Sequence, residues 1–153
     1  MQLAALDELA TAQHGVISRE ASGLSRSSWY RAIAAGQLDQ LHPGVARLRG
    51  TTPTPEQAIV AAVLAVGTDS MASHRSAAYL WGIARPDDDP IDVINTGRRR
   101  RPSLAGGIVH RPKDLRRLIP QRRSGIRCTN ILRTGLDLGA VDPAAVSDAI
   151  GHT

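Results

Sequence analysis

The side chains best suited to chemistry are few and scattered in this sequence. The histidines stand at positions 14, 42, 74, 110 and 152, and none lies at metal-ligand spacing from the lone cysteine, Cys128. Lys113 is the only lysine, and Arg111-Pro112 precedes it, so the acidic residue two places before a lysine that a restriction-type nuclease needs does not occur. The Gly-Lys pair of a phosphate-binding loop is missing, as is the Gly-x-Ser-x-Gly elbow of a serine hydrolase. Asp87-Asp88-Asp89 offers three carboxylates, but adjacent residues point different ways and a solvated loop is the better reading. The sequence predicts no metal, no cofactor and no catalytic activity.

What remains is cationic. The formal net charge is +5, which makes polyanions the natural partners. Nearly all of the basic residues are arginine, whose planar fork pairs with a phosphate or a guanine edge. A GC-rich genome also replaces lysine by arginine, so position carries more than the ratio does. Arg26, Ser27, Ser28, Tyr30 and Arg31 cluster just after Ser25, a helix-capping residue. His42 and Arg47 flank the turn residues Pro43-Gly44. The densest charge, Arg98, Arg99, Arg100 and Arg101, reads equally as a solvated hairpin loop or as a contact for phosphate or an acidic partner. His74-Arg75 could hold a phosphate at a helix start, but reads better as a tie between helix and sheet.

These residues need elements to hold them. Leu3, Leu6 and Ala10 recur at helical spacing through residues 3–13, and His14-Gly15 ends the segment. Val16-Ile17 reads as a short apolar link. Ser18 caps a second helix that turns at Gly23, and Ser25 caps a third that closes at Gly36. Residues 38–48 read as a β-hairpin. On the wheel of the third helix, Trp29, Ala32 and Ile33 share an inward face that should dock on Leu6 and Leu9. Ser27, Arg31 and Ala34 face outward. Three helices and a hairpin are the element order of a winged helix-turn-helix, whose third helix enters the major groove.

Residues 49–55 read as a linker, so the expected domains are residues 1–50 and 51–153. Thr54-Pro55-Glu56-Gln57 has the form of a capping box, and Ile59, Val60, Val63 and Leu64 mark a buried helix up to Gly67. Ser73 should cap a helix stopped by Gly82. Strands are expected at 91–95, 108–110 and 126–128, and a last helix over 130–138, weakened by Gly135. The expected fold class is α+β: the winged head, then a small α+β body with an antiparallel sheet. Cys128 reads as a core thiol in a reducing compartment. Asp7 and Glu8 stand where a signal peptide needs its apolar stretch, and the apolar run 58–66 is too short for a bilayer span, which takes about 20 residues. A cytoplasmic protein without membrane contact is expected.

The order of short motifs resembles the AbiEi-type antitoxin family of type IV toxin–antitoxin systems. "HGVISR" stands at 14–19, "GLSRSS" at 23–28, "AGQL" at 35–38 and "LHPGV" at 41–45. "SHRSAAYLWGI" follows at 73–83, "IDV" at 91–93, "GRRRR" at 97–101, "VHRP" at 109–112 and "RTGLDL" at 133–138. Ala46 departs from the usual aromatic after the wing, and Asn130-Ile131-Leu132 from a usual Ser-Pro-Ala. The resemblance implies a winged helix-turn-helix regulator that binds double-stranded operator DNA, represses its own operon and counters a nucleotidyltransferase-like toxin. Many members carry a further nuclease-like domain of the very-short-patch-repair type. Two other readings therefore stand beside the first: a protein-interaction module with little DNA reading, and the targeting half of such a nuclease-like protein.

Overall fold

The computed structural model describes residues 3–98, 104–115 and 118–151. The chain opens with α1 (Leu3–Ala12), β1 (Val16–Ser18), α2 (Arg19–Ser22), α3 (Arg26–Ala34), β2 (Leu38–His42) and β3 (Val45–Leu48). It continues through α4 (Pro55–Val66), β4 (Ser70–Ala72), α5 (His74–Leu80), β5 (Ile91–Asn95) and β6 (Gly107–His110). It closes with β7 (Gln121–Arg123), β8 (Ile126–Cys128), α6 (Ile131–Val141) and α7 (Pro143–Gly151). No described helix is long and apolar enough to cross a membrane.

Val16-Ile17 is not a link but the start of β1, which pairs antiparallel with β3 and completes a sheet of order β1-β3-β2. Strand alternation then splits these residues between two cores. Ile17, Leu38 and Ala46 pack with Trp29 and Ala10 under α1 and α3. Val16 and Val45 face the other way and join Ile59, Val60 and Val63 of α4. The helices beneath the first face end as their sequence requires. Ser18 accepts the Ala21 N–H at 3.1 Å, and Gly23 takes the left-handed conformation that closes α2.

The second sheet runs β6-β5-β4-β8-β7 and is mixed, which corrects the expected antiparallel sheet. β4 pairs antiparallel with β5, and β7 with β8, but β5–β6 and β4–β8 are parallel. β5 and β6 are therefore not the two arms of the expected hairpin, because parallel neighbours cannot be joined by a tight turn. β4, β7 and α7 were also absent from the expected elements; each strand has only three residues, too few to show a period.

Two capping expectations fail for one reason: a tertiary partner outcompetes the local one. Thr54 accepts the Gln57 N–H at 3.1 Å, but the Gln57 amide does not reach back to complete the box. It donates instead to the His14 carbonyl at 3.0 Å and to Thr51 Oγ1 at 3.3 Å. Ser73 makes no side-chain cap, and its hydroxyl meets His74 Nδ1 at 2.9 Å. Asp92 of β5 takes over, with Oδ2 accepting the Arg75 N–H at 3.2 Å.

Asp92 is fully buried on β5, an interior strand of the second sheet. Arg75 grips it from α5 through Nε at 2.7 Å and Nη2 at 3.0 Å, and His110 of β6 meets Oδ1 at 2.8 Å. This is the expected tie of His74-Arg75 to the sheet. His74 stacks on His110 with ring centroids 3.8 Å apart. Burial, with His110 beside it, pushes the His74 imidazole below its usual range, so it packs as a neutral ring. Burial also pushes the Asp92 carboxyl up, but the hydrogen bonds from His110 and Arg75 outweigh it and hold the group at about 2.

The carboxyl titrates near 3.8 in an unfolded chain, so its contribution to stability is complete above about pH 4 and is lost as pH falls towards 2. The shift amounts to about 2 kcal/mol. Asp92→Asn leaves the Arg75 guanidinium without its counter-charge and is expected to destabilise by about 3–5 kcal/mol at neutral pH. Urea denaturation of both proteins between pH 7 and 3 checks this. The acid-dependent loss should be smaller in the variant.

Candidate nucleic-acid interface

Helix α3 starts at a dense hydroxyl cluster. Ser25 Oγ accepts the Ser28 N–H at 3.2 Å and donates to Ser28 Oγ at 3.0 Å, with Ser27 Oγ 3.2 Å away. Trp29 is wholly buried, and Ala32 and Ile33 pack beside it with Leu6 and Leu9, as the wheel predicts. The opposite side of the helix therefore has to face outward. Ser27, Tyr30 and Arg31 stand exposed there, with Arg26 one turn earlier. The Arg26 guanidinium lies 5.8 Å from the Tyr30 ring centroid, a cation–π contact that braces both side chains.

The other expected contacts are placed less freely. Ser28 is half-buried and its hydroxyl serves the cap, so it is not an open contact residue. Arg47 is bonded across the hairpin to Asp39 at 3.2 Å, which offsets its charge. His42 is half-buried next to a bulge in β2. Burial lowers its pKa, so at neutral pH it offers a hydrogen bond rather than a charge. Arg98 is exposed, and Arg99, Arg100 and Arg101 lie outside the described residues. Asp89 is not simply solvated either, since it receives Arg85 Nε at 2.7 Å. Among the described residues no group of three His, Cys, Asp or Glu could hold a metal ion.

Arg19 went unrecognised in the sequence. Its N–H donates to the Gly44 carbonyl at 2.8 Å, which fixes the start of α2 against the hairpin turn. The side chain is exposed, and together with Arg26, Tyr30 and Pro43 it lines a concavity of about 300 Å³. Its only local signal is its place just after the Ser18 cap. The tertiary bond to Gly44 is what brings it beside Arg26.

Most other arginines hold the fold. Arg49 donates to the Gly36 carbonyl, Arg122 to Gly125, Arg123 to Leu80 and Arg127 to Thr68. Arg123 also covers the Trp81 ring at 4.7 Å. Among the described residues Arg19, Arg26 and Arg31 have no carboxylate within ion-pair distance, and all three lie at α2 and α3.

No protein-family model matches the sequence, and no curated protein matches it.

The exposed face depends on Trp29 as its anchor. Trp29→Ala is expected to destabilise by about 3–5 kcal/mol, as removal of a buried aromatic does. The indole Nε1 is buried without a hydrogen-bond partner among the described residues. Trp29→Phe keeps most of the packing and removes that orphaned donor, so its effect should be clearly smaller. Denaturant midpoints of the two variants, followed by circular dichroism, test the ranking.

Proposed function

We propose that this protein is a DNA-binding transcriptional regulator in which residues 1–50 act as a winged helix-turn-helix. Helix α3 is the reading helix, and the β2–β3 hairpin is the wing. The observation that carries this reading is the exposed group Arg19, Arg26, Tyr30 and Arg31, three of them cations without a carboxylate partner. Arg19 and Arg26 suit the phosphate backbone, which fixes register. Ser27 and Arg31, further out on the helix, suit base edges in the major groove. His42 and Arg47 stand on the wing, where a backbone or minor-groove contact is in reach. Arg98 to Arg101 would touch phosphate or a partner.

The same reading makes the protein a cytoplasmic, non-catalytic antitoxin of the AbiEi type, which represses its own operon and counters a nucleotidyltransferase-like toxin. The ordered motifs support it. A protein-interaction module is the second reading, and one observation favours it: on α6, Leu132 and Leu136 stand one turn apart and are 80% and 76% exposed.

Gel shifts with the full chain separate the two. The protein is expected to bind duplex DNA, with affinity falling steeply as salt rises, because phosphate contacts release counterions. Arg31→Ala should weaken binding to a duplex enriched from random sequence by about 1–3 kcal/mol more than binding to its scrambled counterpart. Arg19→Ala should weaken both alike. Absence of duplex binding at low salt by the folded protein would leave the interaction module as the reading.

A further inference from the structure

A cavity of about 400 Å³ lies between the start of α4, one side of α5 and the loop from Arg85 to Ile91. Its size is within the range of small-molecule sites. It is separate from α2, α3 and the hairpin, and nothing in the DNA-binding reading uses it. Most of its wall is apolar: Pro55, Ala58, Ile59, Pro86, Pro90 and Ile91 all contribute.

The polar part of the wall is held from behind. Arg75 is clamped to the buried Asp92 through Nε and Nη2. Arg85 is bonded through Nε to Asp89 at 2.7 Å and through Nη2 to Asp142 at 2.9 Å, and its side chain is only 6% exposed. Tyr79 donates to Glu56 at 2.9 Å. Among the described residues the hydrogen bonds of both arginines run through Nε and Nη2. Arg75 and Arg85 both line the cavity with their side chains already fixed in place, and a ligand that meets them does not have to order them.

We propose that this cavity binds a small organic acid: one carboxylate received by Arg75 and Arg85, and an aromatic or branched apolar body laid against the prolines and isoleucines. The carboxylates paired with the arginines set the class of ligand. Asp92, Asp89 and Asp142 already offset both guanidinium charges, and Asp89 and the exposed Asp87 both stand on the cavity wall. A multiply charged phosphate would meet that acidic surround, whereas one carboxylate needs only the directed N–H donors. The apolar wall supplies the rest of the affinity, and a fully polar ligand would not gain it.

The full chain, labelled with nitrogen-15, is titrated with phenylacetate, with its neutral analogue phenylacetamide and with inorganic phosphate. Phenylacetate is expected to give saturable shifts at the amides of Ser76, Ile91 and Asp87, with an affinity at least tenfold tighter than that of phenylacetamide. Phosphate is expected to give none there. Ala58 is exposed on α4, so Ala58→Trp can fill the cavity without entering the core. That variant should keep the parent melting temperature and lose binding at least tenfold. Four results would overturn the proposal: no saturable shift with phenylacetate up to about 10 mM, a range in which even millimolar binding registers; equal binding of acid and amide; phosphate binding at the same amides; or unchanged affinity in Ala58→Trp.

Discussion

Helix α4 has two sheets to cover and almost no polar face. It touches β1, β2 and β3 on one side and β4, β5 and β8 on the other. Gln57, Ile59, Val60, Ala61, Ala62, Val63, Ala65 and Val66 are all buried. A helix wedged between two sheets cannot carry bulky residues on every side, and this one is built of alanine, valine and isoleucine. The sequence contains no phenylalanine. Tight layers of small aliphatic side chains are the interior open to it, and close packing makes each methyl group count. The two halves of the chain are also bonded to each other. Gln57 holds the His14 carbonyl, and His14 Nε2 meets the Ser124 carbonyl at 2.7 Å. The reading surface proposed on α3 is therefore anchored, through its sheet and α4, to the body.

Arginine serves two separate purposes here, and composition cannot tell them apart. One set is spent internally. Arg75 closes a buried carboxylate, Arg85 links a loop to the C-cap of α6, and others satisfy carbonyls that would otherwise face the surface. The other set, Arg19, Arg26 and Arg31 at α2 and α3, stands exposed with neither a carboxylate nor a carbonyl bonded to its side chains among the described residues. A net charge of +5 is thus a poor guide to the strength of a nucleic-acid contact. The location of the uncompensated cations is the better one, since a field is shaped by what its neighbours fail to cancel.

The head was largely legible because its signals are local. Capping serines, glycine turns and a 3.6-residue period place α1 to α3, and Trp29 falls inward as the wheel requires. The body was less so. A three-residue strand has no measurable period, and pairing direction depends on what lies between strands in space. Asp92 stands in an apolar alternating run, and nothing beside it in sequence marks it as a hub. Its partners arrive from α5 and β6, 17 and 18 residues away. Likewise the importance of Arg19 comes from Gly44, and the true role of Gln57 from His14. Each of these rests on a long-range bond that no neighbour in sequence announces.

The mixed order of the second sheet bears on how the protein comes off the ribosome. Within the first sheet every strand finds its partner among residues 16–48, so that unit can close early in synthesis. β4 is different. One of its edges pairs with β5, but the other waits for β8, at residues 126–128. Until then the nascent chain carries an open strand edge beside the buried face of α4. Contacts between segments so far apart slow folding, and an unpaired edge invites association with other chains. During synthesis this gives the body a period of vulnerability that the head does not share, and chaperone dependence should be concentrated there.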